Sequence, residues 1–186
     1  MISTSDFKTG LTLEHDGNIY SIIDFQHVKP GKGSAFVRTK LRNLRSKSVI
    51  DITFNSGEKF ELAQIDKDIM AFLYSYDDLY VFMNNDTYEQ LELHKSNLED
   101  QIVYLSEGMN VNIISFGSEI LGVELPDKVV LEIVETAGGV RGNTTSNATK
   151  EALTNTGLRL SVPLFISEGE KIVVSTATGK YDTRAK

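Results

Sequence analysis

Lys32 stands between two glycines and directly after a proline, in the stretch KPGKGSAFVRTKLRNLR that opens at Lys29. Pro30 fixes its own φ and lacks an N–H. Gly31 and Gly33 permit positive φ, so a tight turn can form with Lys32 extended from its tip. An amine presented this way can meet a phosphate or accept a covalent group. It is poorly suited to Schiff-base or general-base chemistry, which needs desolvation or a nearby cation to lower the lysine pKa. It is not a nucleotide P-loop either. That motif requires glycine at position 26 and Ser or Thr at 33, where this chain has Gln26 and Gly33. A hairpin turn that happens to hold an exposed lysine is the plain structural alternative.

Bases follow the turn. From Phe25 to Ile50 there are seven (Lys29, Lys32, Arg38, Lys40, Arg42, Arg45 and Lys47) and no acid. Arg38, Lys40 and Arg42 share one parity, so in a strand they project from one face. Most base runs are solvated surface. One confined to a single region beside a glycine-rich tip is as good a candidate for phosphate binding.

Other reactive residues do not assemble into sites. His15, His27 and His94 show no metal-ligand spacing, and a satisfied strand histidine is the better reading of His27. Tyr76-Asp77-Asp78 has only the superficial look of a polymerase carboxylate pair, and aspartates favour turns. Asp77, Asp78, Asp86 and Glu89 lack EF-hand spacing. No nucleophile, base and orienter set is present, so no catalytic or metal-ligating residue is expected.

The elements that must position these residues are strands. LTLEH and IYSIID alternate around Asp16-Gly17-Asn18, a hairpin signal. FQHVKPGKGSAFVRTKL reads as two strands joined at PGKG. VIDITFNSGEKFELAQI predicts a further hairpin around Asn55-Ser56-Gly57. IMAFLYSYDDLYVFMNNDTYEQLEL continues in strand style, broken at Tyr76-Asp77-Asp78 and Asn84-Asn85-Asp86. SNLEDQIVYLSEG predicts one helix, with Ser96 and Glu99 as a capping box, an apolar face of Leu98, Ile102 and Leu105, and Gly108 as its stop. VNIISFG, EILGVEL, VVLEIVET and LRLSVPLFI predict strands. KIVVSTATGKYDTRA predicts a hairpin turning at Thr178-Gly179. TAGGVRGNTTSNATKEALTNTG is expected to be mostly loop.

The 186 residues are 40% hydrophobic and 24% charged, an ordinary globular composition. With no cysteine, disulfides, zinc-thiolate sites and thiol nucleophiles are excluded. No apolar run is long enough to span a bilayer, and MISTSDFKTG lacks the features of a signal peptide, so a cytoplasmic location is expected. The net charge of -7 averages unlike parts. Asn55 to Pro126 carries 14 acids and three bases, whereas Asp127 to the end carries seven acids and eight bases. A polyanion is repelled by the middle and attracted to the first segment. Many short strands, one short helix and these breaks predict an all-β chain of three small β-barrel domains, 1–63, 64–126 and 127–186.

At HVKPGKGSAFVRTKLRN the sequence resembles bacterial elongation factor P, and the match runs along the whole chain. Further carriers are YEQLEL at Tyr88 to Leu93, GVELPDKVVLEIVET at Gly122 to Thr136, and GLRLSVPLFISEGEKI at Gly157 to Ile172, with Lys150 and Ala152 upstream. The ending Tyr181-Asp182-Thr183-Arg184 is similar to the family's Tyr-x-Ser-Arg.

The resemblance implies an SH3-like (KOW-like) N-terminal barrel and two OB-fold barrels in an L-shaped, tRNA-like arrangement. It implies a non-enzymatic translation factor that binds the 70S ribosome between the P and E sites, near ribosomal RNA and proteins. It also implies contact with P-site peptidyl-tRNA and relief of polyproline stalls. Lys32 occupies the position of the family's tip lysine, in a loop with Lys29, Pro30, Gly31 and Gly33. Arg38, Lys40, Arg42 and Arg45 are the RNA-binding candidates. The expected partners include a lysine-modifying enzyme but no membrane. No cofactor is expected beyond a covalent extension of Lys32, whose identity the sequence leaves open, and the protein is expected to be a monomer. Gly142, Asn143 and Thr144 stand where the family's small-subunit loop reads close to Gly-Asp-Thr, so the acid is lost. Ala137-Gly138-Gly139 replaces a more usual acid-proline-glycine. Tyr181 and Arg184 are the C-terminal contact candidates. The competing reading is a general RNA-binding β-barrel protein, or a paralogue with another ribosomal task.

Overall fold

The computed structural model describes residues 1–138 and 148–186. The chain is all-β, and its strands fall into three sheets. It divides into two compact units, one of Met1–Lys67 with Ile114–Gly122, the other of Asp68–Ile113 with Val123–Lys186.

The first sheet is built from β1 (Ile2–Ser3), β2 (Thr12–His15), β3 (Asn18–Val28), β4 (Phe36–Asn43), β5 (Val49–Asn55) and β6 (Lys59–Leu62). Its order is β1-β6-β2-β3-β4-β5. The β2–β3 hairpin closes with His15 opposite Asn18. Asp16 and Gly17 between them take φ of 47° and 72°. Positive φ at both central positions matches the right-handed twist of the strands, which is why Asp-Gly serves there. Alternation then decides the faces. Along β4, Val37, Thr39, Leu41 and Asn43 are buried, while Arg38, Lys40 and Arg42 are exposed. The inward face joins Phe7, Leu13, Tyr20, Ile22, Val37, Leu41, Phe54 and Phe60 in one core. A second apolar cluster in this unit, Ile19, Ala63 and Leu121, packs with Leu44, Ile65, Ile114 and Phe116.

The predicted hairpin at Asn55-Ser56-Gly57 forms a turn but not a hairpin. The Glu58 N–H bonds the Asn55 carbonyl, and Gly57 takes φ 85°. Yet β6 pairs with β1 and β2, not with β5. The aromatic side chain of Phe60 is buried against Phe54 and Phe7, with ring centroids 4.7 and 5.6 Å apart. Core burial carries the strand to the other side of the sheet, between β1 and β2, and curls the sheet.

The second sheet contains β7 (Asp66–Tyr76), β8 (Leu79–Met83), β9 (Gln90–His94), β10 (Asn110–Phe116) and β11 (Glu119–Glu124), in the order β11-β10-β7-β8-β9. Asp77-Asp78 is the two-residue turn between β7 and β8, with Tyr76 opposite Leu79 and Asp77 at φ 50°. Phe72, Val81, Phe82, Leu93, Val111 and Ile113 are buried.

The predicted helix is replaced by two 3-10 segments, Lys95–Asn97 and Glu99–Tyr104. The capping box does not form. His94 Nδ1 accepts the Ser96 N–H at 3.2 Å, and Leu98, which precedes the second segment, makes no side-chain cap bond. Glu99 sits at φ 41°, a left-handed value that interrupts any continuous helix. Tertiary contacts outweigh the local pattern. Leu98 and Leu105 are buried, Gln101 Nε2 donates to the Val123 carbonyl at 2.6 Å, and the Thr156 hydroxyl donates to the Val103 carbonyl.

The third sheet is built from β12 (Lys128–Thr136), β13 (Thr149–Thr154), β14 (Arg159–Pro163), β15 (Lys171–Ser175) and β16 (Tyr181–Arg184), in the order β14-β13-β12-β15-β16. The stretch expected to be mostly loop thus contains β13, which inserts Ala152 and Thr154 into the core. Threonine-rich polar sequence hid a strand because β13 is buried at only alternate positions. The Thr178-Gly179 hairpin forms as expected, with Gly179 at φ 67°. Leu131, Ile133, Val162, Ile166, Ile172 and Val174 are fully buried at the centre of this sheet's core, with Tyr104 and Met109 packed against it. Among the described residues, no helix is long and apolar enough to cross a membrane.

Candidate nucleic-acid interface

The hydrogen-bonded ladder of β3 and β4 ends where Val28 opposes Phe36, and residues 29–35 form the connecting loop. Lys29, Pro30, Gly31, Lys32, Gly33 and Ser34 are all exposed. Among the described residues Lys32 has no hydrogen-bond or ion-pair partner. The two glycines differ. Gly33 takes φ 106°, and a Cβ there would lie 3.9 Å from the Pro30 ring, so backbone conformation calls for glycine. Gly31 needs no positive φ, and a Cβ there would meet nothing within 4 Å. Neither backbone nor packing within the chain requires glycine at Gly31.

β4 carries the base row on its outer face. Arg38 opposes Gln26 and Thr53, Lys40 opposes Asp24 and Asp51, and Arg42 opposes Ser21 and Val49. The three bases are two residues apart, about 7 Å at the rise of an extended strand. Among the described residues none of them joins an ion pair. The Arg38 guanidinium lies 5.7 Å from the centre of the Phe36 ring. That contact holds it beside the tip loop.

Arg45 is placed apart from this row. Its Nε and terminal nitrogen donate to the two Glu119 carboxylate oxygens at 2.8 and 3.0 Å, and its other nitrogen donates to the Gly17 carbonyl at 2.8 Å. Donating to the Glu119 carboxylate raises the guanidinium pKa above its ordinary value, and accepting from Arg45 holds the Glu119 carboxyl below its own. Nearby, Lys47 Nζ donates to the Leu44 and Leu121 carbonyls, both at 2.7 Å. Sequence reasoning put Arg45 with the RNA-binding bases. It had no means to find Glu119, 74 positions away.

At the C-terminus, Tyr181 is half-buried against the third core. The Arg184 guanidinium sits 4.7 Å from the Phe165 ring centre and donates to the Phe165 carbonyl and to Glu170 Oε1, at 3.2 and 3.0 Å. Gly142, Asn143 and Thr144 lie outside the described residues. Among the described residues, no group of three or more His, Cys, Asp or Glu is placed to hold a metal. Asp77 and Asp78 occupy their turn, and His15 lies among the rings of Tyr20, Phe54 and Phe60.

An exposed lysine tip and a one-faced base row on a curled all-β sheet are features of a nucleic-acid-binding module. Comparison with known proteins identifies the family. Residues 3–60 match the elongation factor P KOW-like domain, residues 65–123 the elongation factor P OB domain, and residues 129–184 the elongation factor P C-terminal domain. Among solved structures, a eukaryotic translation initiation factor 5A from Methanococcus jannaschii is 27% identical, with a TM-score of 0.52, and the match covers 66% of this chain and 94% of that one. A translation initiation factor eif-5a family protein from Naegleria fowleri is 14% identical with a TM-score of 0.49, over 67% of this chain and 96% of that one. With all three domain models matched in order along its length, the chain belongs to the elongation factor P family of translation elongation factors.

Proposed function

We propose that this protein binds the 70S ribosome between the P and E sites and stimulates peptide-bond formation at polyproline stalls by positioning the peptidyl-tRNA. The observation that carries the reading is the presentation of Lys32. It is an amine with no partner among the described residues, in a loop exposed from Lys29 to Ser34, on the sheet whose outer face carries Arg38, Lys40 and Arg42. The bases neutralise phosphates of tRNA and ribosomal RNA. Gly31 supports the same reading, since nothing inside the chain asks for a missing side chain there. A bare backbone lets the loop enter a narrow gap beside RNA.

The chemistry needs no proton transfer by the protein. Proline is a poor acceptor because its ring constrains the attacking amine and stiffens the chain at φ. Holding the peptidyl-tRNA in attack geometry lowers the entropic part of the barrier. A lysine-modifying enzyme that extends the Lys32 amine lengthens its reach toward the acceptor end. Tyr181 and Arg184, with the loop at Gly142, Asn143 and Thr144, belong to the proposed small-subunit side. The protein acts as a cytoplasmic monomer.

The test is synthesis of a triproline-containing peptide in a reconstituted translation system, with no factor, with protein purified from its own host, and with Lys32→Ala. The native protein is expected to relieve the stall and the variant to lose most of that effect. Equal acceleration of all peptide bonds, or no relief by a native protein that still binds ribosomes, would transfer the assignment to a paralogue with another ribosomal task. The intact mass of the native protein, with Lys32-containing peptides sequenced, reads out the modification.

A further inference from the structure

The segment from Phe25 to Ile50 holds no acid, yet the folded face does. Asp24 and Asp51 flank that segment in sequence. Antiparallel folding of β3 and β5 onto β4 sets both directly opposite Lys40. One row nearer the tip, Gln26 and Thr53 flank Arg38. These two rows wall a shallow depression. Between them lies the Phe25–Thr39–Ile52 row, whose side chains turn to the core and whose backbone makes the floor.

The charges in this depression do not satisfy one another. Among the described residues neither Asp24 nor Asp51 forms an ion pair with Lys40 or Arg38. Asp24 Oδ1 accepts the Phe25 N–H at 2.9 Å, and the Asp51 side chain has no hydrogen-bond partner among the described residues. A surface meant only for phosphates gains nothing from two carboxylates, since each repels the ligand. Carboxylates suit a ligand that brings donors along with its anions. A nucleotide does this. Its phosphates meet arginine and lysine, while the exocyclic amine of its base donates to a carboxylate, as cytosine N4 does to Asp or Glu. In an RNA duplex the free N4–H lies in a deep, narrow major groove that side chains cannot reach, so the base must be unpaired.

We infer that the depression between the Arg38 and Lys40 rows is a base-reading subsite for one unpaired RNA nucleotide, selective for amine-bearing bases over uracil. Arg38 and Arg42 hold the flanking phosphates. Asp24 and Asp51 accept the N–H groups of the base, and Gln26 and Thr53 offer an amide and a hydroxyl. Cytosine presents a two-hydrogen donor to this pair. Uracil presents one imide N–H between two carbonyls, which the carboxylates repel. This inference rests on the same sheet face meeting RNA, as proposed above, and adds what it reads.

The test uses the full-length protein and labelled single-stranded oligocytidine and oligouridine of equal length, titrated at fixed salt. Wild type is expected to favour oligocytidine roughly tenfold, the scale of one good base contact. Asp24→Asn with Asp51→Asn removes two repulsive charges, so both oligomers should bind tighter while the preference collapses toward unity. Equal wild-type affinities, no binding to either oligomer, or a preference that survives the double substitution overturns the subsite. Ribosome binding by Arg42→Glu then separates the two claims. If that variant binds ribosomes weakly, the RNA-facing sheet stands without its base reader. If it binds like wild type, the face itself is misassigned.

Discussion

Thr39 shows how one side chain can carry a cost unrelated to the site above it. It lies in β4 between Arg38 and Lys40, is 2% exposed, and its hydroxyl reaches no hydrogen-bond partner among the described residues. A buried hydroxyl without a partner keeps its desolvation penalty, commonly 1–3 kcal/mol. Valine has nearly the same shape and a strand-favouring branch. Thr39→Val is therefore expected to stabilise the protein by about 1 kcal/mol in chemical denaturation. A loss of stability would mean that the hydroxyl is satisfied in solution. Lys32 sits at the opposite extreme, exposed and without a partner among the described residues, so its replacement should leave stability unchanged while removing most of the stall relief.

At the scale of elements, the bonds between Arg45 and Glu119 tie the chain after β4 to the turn that opens β11. Both side chains are partly exposed, so the pair is screened by solvent and salt. Its pH dependence is nevertheless signed. The native Glu119 carboxyl is held below its ordinary value of 4.5 by the Arg45 hydrogen bond. Its contribution is complete above that value and is lost as pH falls through the lower native one. Melting curves of wild type and Glu119→Gln should therefore differ at neutral pH and converge below about pH 4.5. A gap that stays constant down to acid would show that the pair carries no native-state shift. The 3-10 segments at Lys95–Asn97 and Glu99–Tyr104 make a related point about elements. Their apolar spacing suits an α-helix, but the chain accepts a left-handed residue at Glu99 so that Leu98 and Leu105 can both be buried.

Across the whole molecule, charge is sorted by segment. An acid-free segment from Phe25 to Ile50, a strongly acidic middle and a balanced C-terminal region share one chain of net charge -7. Sorting of this kind steers association, because a polyanion approaches one part and is turned away from another. Arg38→Glu or Arg42→Glu is expected to weaken ribosome binding and to lower the slope of log affinity against log salt by about one unit per lost phosphate contact. A binding constant insensitive to salt, or a slope unaltered by both substitutions, would remove the phosphate role of β4.

The sequence by itself determined most of the strands along the chain, though not β13, together with the turn at Asp16-Gly17, the exposed loop at Lys32 and the one-sidedness of Arg38, Lys40 and Arg42. These depend on turn chemistry and a two-residue period, both local and therefore legible. Family resemblance supplied the rest of the functional reading, including residues such as Asn143 that lie outside the described structure. Only the tertiary structure decided that β6 leaves β5 for β2, that SNLEDQIVYLSEG is not an α-helix, that Arg45 is occupied by Glu119, and that Asp24 and Asp51 flank Lys40. Each of these turns on partners distant in sequence. Burial of apolar side chains selects those partners, and a local pattern of residues contains no record of which strand will lie beside which.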